Sequence, residues 1–221
     1  MMTPKLIIFD MDGLMIDTEP VAIAGWEAVA RELNITIPHE LLLSVIGINR
    51  VLCKVYMLEA LGPDFDYDKA LMLLHKNINQ HFETHGVPQK PGITQLLDKL
   101  DELGIKKAVA TSSSFERATY KLTKAGLIHR FDAIIGGNMV ARSKPDPDIF
   151  LKAAKVVGIS PSDCIVLEDS NPGAEGAVRA GMRVVVVPDL VPPTDVTRKQ
   201  AYAVCNSLHD VYELVTELAQ R

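Results

Sequence analysis

The chain has 221 residues, 48% of them hydrophobic, with 28 acidic and 23 basic side chains and a net charge of −5. That length and apolar content suffice to bury a core without disulfides. The acidic balance argues against a nucleic-acid partner, which would need a basic face to neutralise phosphates, but leaves room for a small phosphorylated metabolite. No apolar stretch approaches the roughly 18–20 residues of a membrane helix. The run Leu6–Phe9 is too short for a signal peptide and ends in Asp10. Cys53, Cys164 and Cys205 stand far apart, with neither CxxC nor zinc spacing, and read as reduced thiols. The expectation is a cytoplasmic monomer that binds neither membrane nor nucleic acid.

Leu6–Phe9 is a continuous apolar run and reads as a buried strand. From Thr18 to Gly86 the pattern turns helical, with helices expected over Pro20–Leu33, Glu40–Ile46, Val51–Leu61 and Tyr67–His85. This stretch is too long for a simple crossover, so residues 18–86 read as a helical insert in which Trp26 serves packing. His81 and His85 lie four apart on its last helix and lack a third ligand for a metal. Strand and helix then alternate. A helix spans Gly92–Leu103, with Ile93, Leu96, Leu97, Leu100 and Leu103 on one stripe and Gly104 as its stop. A strand follows at Lys107–Ala110. The helix Phe115–Ala125 carries a capping box of Ser113 and Glu116, and another strand lies at Ala133–Ile135. Pro147–Val157 reads as a helix capped by Asp146 and stopped at Gly158. Strands at Cys164–Leu167, Val184–Val187 and Ala203–Val204 complete the set. The stripe of Val211, Leu214, Val215 and Leu218 closes the chain as a helix with a core-facing side. The fold class is therefore α/β: a doubly wound parallel sheet built from residues 1–17 and 87–221, with residues 18–86 as a separate α-helical domain.

Polar residues gather where these strands end, at the edge where open α/β sheets bind ligands. Asp10 and Asp12 follow the first strand, Thr111 the second, and Glu168 and Asp169 the fourth, while Lys144 lies in a loop that opens a helix. Singly, each has an ordinary structural explanation as a turn former, a cap or a surface charge. Together they make a complete phosphoryl-transfer site. A carboxylate attacks an anionic phosphate ester only if the repulsion is offset. A hard divalent cation with oxygen ligands does this, and magnesium suits one or two carboxylates. Asp10 and Asp169 offer them. Lys144 adds a positive charge and Thr111 a hydroxyl donor. Asp12 stands just beyond the nucleophile, where it can protonate a leaving alkoxide and later deprotonate water.

Four segments carry a family resemblance. Asp10-Met11-Asp12-Gly13-Leu14-Met15-Ile16-Asp17 resembles the first motif of the haloacid-dehalogenase superfamily, and Ala110-Thr111-Ser112-Ser113 its second. Ser143-Lys144-Pro145-Asp146-Pro147-Asp148-Ile149-Phe150 resembles the third and Leu167-Glu168-Asp169-Ser170 the fourth. All four occur in order and span nearly the whole chain. The helical insert is placed like the cap of the subgroup containing β-phosphoglucomutase, small sugar phosphatases and pseudouridine-5′-phosphatase. Asp169-Ser170-Asn171-Pro172-Gly173, Ala180-Gly181-Met182, Val187-Pro188-Asp189 and Asn206-Ser207-Leu208 resemble the pseudouridine-phosphatase-like members most.

The resemblance implies Asp10 as nucleophile and Asp12 as general acid/base. It implies Mg2+ held by Asp10, the Asp12 carbonyl and Asp169, with Glu168 acting nearby, and a phosphoryl group held by Thr111, Ser112 with Ser113 beside it, and Lys144. An acid at Asp12 sets the chain apart from the dehalogenases of the superfamily and points to phosphoryl transfer. In the cap, Arg50 follows Gly47 at a spacing similar to that of a mutase arginine which binds a second substrate phosphate, and Lys76 is placed similarly; as plain sequence, both are solvated helix charges. The mutase-like members carry a histidine four residues after the threonine matching Thr18, where this chain has Ala22. The expected activity is a Mg-dependent phosphatase for a small sugar or nucleoside phosphate, with a hexose-phosphate mutase as the alternative. A signalling receiver domain also combines a strand-end Asp, a hydroxyl and a Lys, but Asp12 and the helical insert speak against it.

Overall fold

The computed structural model describes residues 3–45, 48 and 50–220, with the side chain of Arg50 outside the description. The chain divides into two compact units, Met1–Ile16 with Gln89–Arg221, and Asp17–Pro88.

The first unit is built on six strands: β1 (Leu6–Phe9), β2 (Lys106–Thr111), β3 (Ala133–Gly136), β4 (Cys164–Glu168), β5 (Arg183–Val186) and β6 (Ala203–Val204). They lie in the order β3-β2-β1-β4-β5-β6, and every pair is parallel. The order reverses beside β1, which pairs with β2 on one side and β4 on the other. Such a switch point opens a crevice at the carboxyl ends of the strands.

Side chains of successive strand residues point to opposite faces. Leu6 and Ile8 of β1 therefore join Ala108, Ala110, Val166, Val184 and Val186 in one buried cluster, while Ile7 and Phe9 are buried on the other side. The first face is covered by α7 (Asp148–Val157) and α8 (Asn171–Arg179). The other is served by α5 (Ile93–Glu102), which packs on β2 and on α10 (Leu208–Ala219). The remaining helices of this unit are α6 (Phe115–Lys124), against β3, and α9 (Asp195–Gln200), against α8.

The second unit is wholly helical among the described residues. It contains α1 (Glu19–Leu33), α2 (His39–Val45), α3 (Arg50–Leu61) and α4 (Tyr67–His85). Its core forms where α1 packs on α4, around Val29, Leu74, Ile78 and Phe82, with Trp26 against Tyr67. Asp66 caps α4 by accepting the Lys69 amide. The expected helix over Glu40–Ile46 runs from His39 to Val45, and Ile46 lies outside the described residues. The His81 and His85 rings stack at 4.5 Å. No helix of the described residues is long and apolar enough to cross a membrane.

Two caps differ from the sequence reading. The α6 cap is Ser114, whose hydroxyl accepts the Arg117 amide, and not Ser113. Helix α7 begins one residue after Pro147, and Asp146 accepts the Asp148 amide at 3.2 Å. Thr111 and Glu168 are the last residues of their strands and not the first beyond them.

Phe150 ties this core to the crevice. It is fully buried under the sheet, and the Lys144 ammonium lies 5.1 Å from its ring centroid. Phe150→Ala should therefore cost about 3–5 kcal/mol of stability. Urea denaturation followed by circular dichroism measures this, and a loss below about 1 kcal/mol would contradict the assigned packing.

Candidate active site

The sheet topology brings the predicted polar residues of the first unit to one edge. Asp10 leaves β1 with its amide bonded to the Leu167 carbonyl of β4 at 2.9 Å. That bond extends the pairing of β1 with β4 to the residue that carries the carboxylate, so the side chain departs from a fixed backbone. Asp10 is buried, and Lys144 reaches it from the loop before α7.

The Lys144 ammonium lies 2.5 Å from Asp10 Oδ1, 2.5 Å from Glu168 Oε1 and 3.0 Å from the Ala110 carbonyl. An ammonium has three donors, and these three acceptors come from the ends of β1, β4 and β2. Burial alone would lower the Lys144 pKa, but the charges of Asp10 and Glu168 outweigh it and hold the lysine well above its ordinary value.

Glu168 is fully engaged. Its second oxygen accepts the Ser170 amide at 3.0 Å and the Ser170 hydroxyl at 2.8 Å. That hydroxyl in turn accepts the Gly173 amide at 3.1 Å and caps α8. A side chain at position 173 would collide with the Glu168 carboxylate, which is why the first turn of α8 carries glycine. Glu168 is thus the anchor of Lys144 and of α8.

Asp169 and Asp10 bear the strain of the arrangement. Burial, and then the charges of Asp10 and Glu168, push Asp169 up to about 10 against the pull of Lys144. Burial raises Asp10 to about 7, with Lys144 opposing and Glu168 and Asp12 adding to the rise. Like charges crowded out of water favour protonation or a cation, and two hard carboxylate donors suit a magnesium-type ion. The Asp12–Ile16 turn fits the same purpose. Gly13 has φ +82°, and a Cβ there would collide with Asp169 and stand 3.3 Å from Asp189 Oδ2, so the turn stays free of side chain beside these acids. The oxygens of Asp169 and Asp189 come within 4.8 Å of one another. Asp189 is held by Lys90 at 2.7 Å, while its Oδ2 is buried without a hydrogen bond among the described residues.

Thr111 is buried at the end of β2, and its hydroxyl accepts the Ser113 amide at 3.1 Å, which leaves its proton to donate. Ser112 follows with an exposed side chain. Ser113, freed from the capping role, donates its hydroxyl to Asp12 Oδ2 at 3.1 Å. The other Asp12 oxygen pairs with Lys121 of α6 at 2.6 Å.

Lys121, Ser170, Asp189 and Lys90 were not among the residues singled out from sequence for this edge. Ser170 and Asp189 lie in stretches noted only for resemblance, and Lys121 reads as one more charge on an amphipathic helix. The two residues expected to contact substrate from the insert belong to the second unit. Arg50 opens α3, its side chain outside the description, and Lys76 is exposed on α4.

The chain matches the family described as haloacid dehalogenase-like hydrolase over residues 7–187. It belongs to that family. The enzyme is similar to a β-phosphoglucomutase of Bacillus subtilis, 33% identical over 83% of each chain. It is also similar to a phosphorylated carbohydrates phosphatase of Thermotoga maritima, 29% identical over 80% of this chain and 82% of that one. The crystal structure of a Clostridium difficile β-phosphoglucomutase superposes with a TM-score of 0.76 at 25% identity, covering 100% of this chain and 98% of that one.

Two outcomes test this electrostatic arrangement. Lys144→Met should destabilise the protein by about 3–5 kcal/mol, because it leaves buried carboxylates unpaired; chemical denaturation reads the loss, and a change within about 0.5 kcal/mol would contradict it. For Asp10 and Asp169 the folded pKa values are raised above the ordinary carboxylate value of about 3.8. In metal-free protein the folded state then holds protons that the unfolded state has released. These groups stabilise the fold below their unfolded pKa, and that contribution is lost as pH rises toward about 7 for Asp10 and about 10 for Asp169. Asp169→Asn should therefore raise the Tm in EDTA at neutral pH, by about 2–4 °C for each kcal/mol of relieved crowding. An unchanged or lower Tm would overturn the assignment.

Proposed function

We propose that the enzyme hydrolyses a small phosphomonoester, a sugar or nucleoside phosphate, through a phosphoaspartate on Asp10. The observation that carries this reading is the set of contacts around Lys144, which joins a buried strand-end Asp10 to Glu168 and to the Ala110 carbonyl near the end of β2. Membership of the hydrolase family and relatives named as a carbohydrate phosphatase and a β-phosphoglucomutase support it.

Asp10 attacks phosphorus, and Lys144 offsets the charge of the incoming phosphoryl oxygens. The Thr111 hydroxyl donates to one of those oxygens, with the Ser112 amide alongside. Asp12 gives its proton to the leaving oxygen, then takes one from the water that frees the phosphate. Glu168 keeps Lys144 aligned. Magnesium would be held by Asp10, the Asp12 carbonyl and Asp169, and when bound it supplies charge neutralisation for the anionic ester and its nucleophile. The helical unit, residues 18–86 in the sequence reading, serves as the cap that selects the ester, with Arg50 and Lys76 as its cationic contacts. A hexose-phosphate mutase would return the phosphoryl group to sugar instead of water; Ala22, where mutase-like members resemble one another in having histidine, favours hydrolysis.

Phosphate release should be measured across sugar, nucleoside and aryl phosphates with Mg2+ and with excess EDTA. Activity should vanish with the chelator, and Asp10→Asn should lower kcat by at least about 10³-fold. Full turnover in EDTA, or an Asp10→Asn enzyme within about tenfold of wild type, would sink the proposal.

A further inference from the structure

We propose that Lys121 is a positioning residue for the proton-transfer group Asp12. The inference rests on the reading of Asp12 as general acid/base given above and adds a residue that the four motifs do not contain.

Both Asp12 oxygens receive donors from a single stretch of chain. Ser113 Oγ donates to Oδ2 at 3.1 Å, and Lys121 Nζ pairs with Oδ1 at 2.6 Å. Ser113 lies two residues before α6 and Lys121 in its last turn, and the helix is placed by buried Ala118 and Leu122 and by the Ser114 cap. The Lys121 side chain is only 12% exposed, against 29% for Asp12. Asp12 itself lies in a turn. Its backbone forms an isolated bridge to Ile16, and the adjoining Gly13 has positive φ. The carboxylate is held by two donors, one from Ser113 before α6 and one from Lys121 on it. A lysine on a solvated helix face would reach into water. This one reaches inward to the residue two places beyond the nucleophile.

The chemistry gives the pair its timing. In the first transfer the Asp10 O–P bond forms and the ester P–O bond breaks. The electron pair left on the alcohol oxygen takes the proton of Asp12. In the second, the oxygen of water bonds to phosphorus, the Asp10 O–P bond breaks, and Asp12 accepts the proton of water. Asp12 ends the cycle as it began, and ester plus water has become alcohol plus phosphate. Lys121 exchanges neither proton nor electrons. It holds the Asp12 carboxyl group in one orientation through both transfers, so that it faces first the leaving oxygen and then the attacking water.

The test compares phenyl phosphate, whose leaving oxygen depends on protonation, with p-nitrophenyl phosphate, whose leaving oxygen depends on it less. Lys121→Met should lower kcat for phenyl phosphate by about 10–100-fold and the p-nitrophenol burst by less than about 3-fold. KM and the Mg2+ affinity measured by calorimetry should stay within about 2-fold, and Lys121→Arg should recover to within about 5-fold of wild type. In an Asp12→Asn background the same substitution should add less than about 2-fold, because a residue that acts through Asp12 has nothing left to position. Lys121→Gln carries the same comparison if the Met variant fails to fold by circular dichroism. Equal losses for both esters, or a full further loss on top of Asp12→Asn, overturn the proposal. If Asp12→Asn itself treats both esters as wild type does, the fault lies in the reading of Asp12, and the Lys121 proposal falls with it. If Asp12→Asn discriminates between the esters and Lys121→Met does not, Lys121 alone is misassigned.

Discussion

A buried ammonium holds this site together. Lys144 accounts for how Asp10 and Glu168 can end adjacent strands, both buried, within 2.5 Å of one cation. Carboxylates taken out of water repel one another and favour protonation. Lys144 spends two of its three donors on this problem and the third on the Ala110 carbonyl of a third strand. The loop before α7, the ends of β1, β2 and β4, and Phe150 beneath the lysine are thereby tied to one nitrogen.

The parallel topology makes such a meeting possible. Since β1 lies between β2 and β4, residues about 100 and 160 positions apart arrive at the same edge. The first turn of α8 depends on the same point. Ser170 caps that helix with the hydroxyl that also satisfies Glu168, and Gly173 leaves room for the carboxylate. One lysine cannot neutralise three acids, however. Asp169 carries the remaining crowding, and Asp189, with Lys90 behind it, sits close by. The donor chemistry of this corner is compatible with a divalent cation.

Much of this was legible in the sequence, and the physical reason differs from part to part. Strands buried on both faces must be continuously apolar, so Leu6–Phe9 and Cys164–Leu167 announced themselves. Long apolar stripes marked α5 and α10. Helix α8 did not stand out, because its core face is made of glycine and alanine. At Gly176 a Cβ would lie 3.2 Å from the Phe150 ring, so close packing there excludes the large residues that create a visible period. The strand-end acids and Lys144 could be assembled by asking what a phosphate ester requires. The choice between Ser113 and Ser114 could not. Either serine can cap α6, and only the position of Asp12, a hundred residues away in the chain, decides that Ser113 turns toward it. Lys121 escaped for the same reason, since long-range ion pairs leave no periodicity.

The central claim is that Asp10 carries the phosphoryl group between two transfers. Acid-quenched Asp12→Asn enzyme, mixed with p-nitrophenyl phosphate and Mg2+, tests it most directly. The variant retains the nucleophile but lacks the base for the second step, so intact mass spectrometry should show one added phosphoryl group, and peptide mapping should locate it on Asp10. An unmodified enzyme under conditions where the aryl alcohol is released, or a phosphoryl group located on any other residue, would contradict the account.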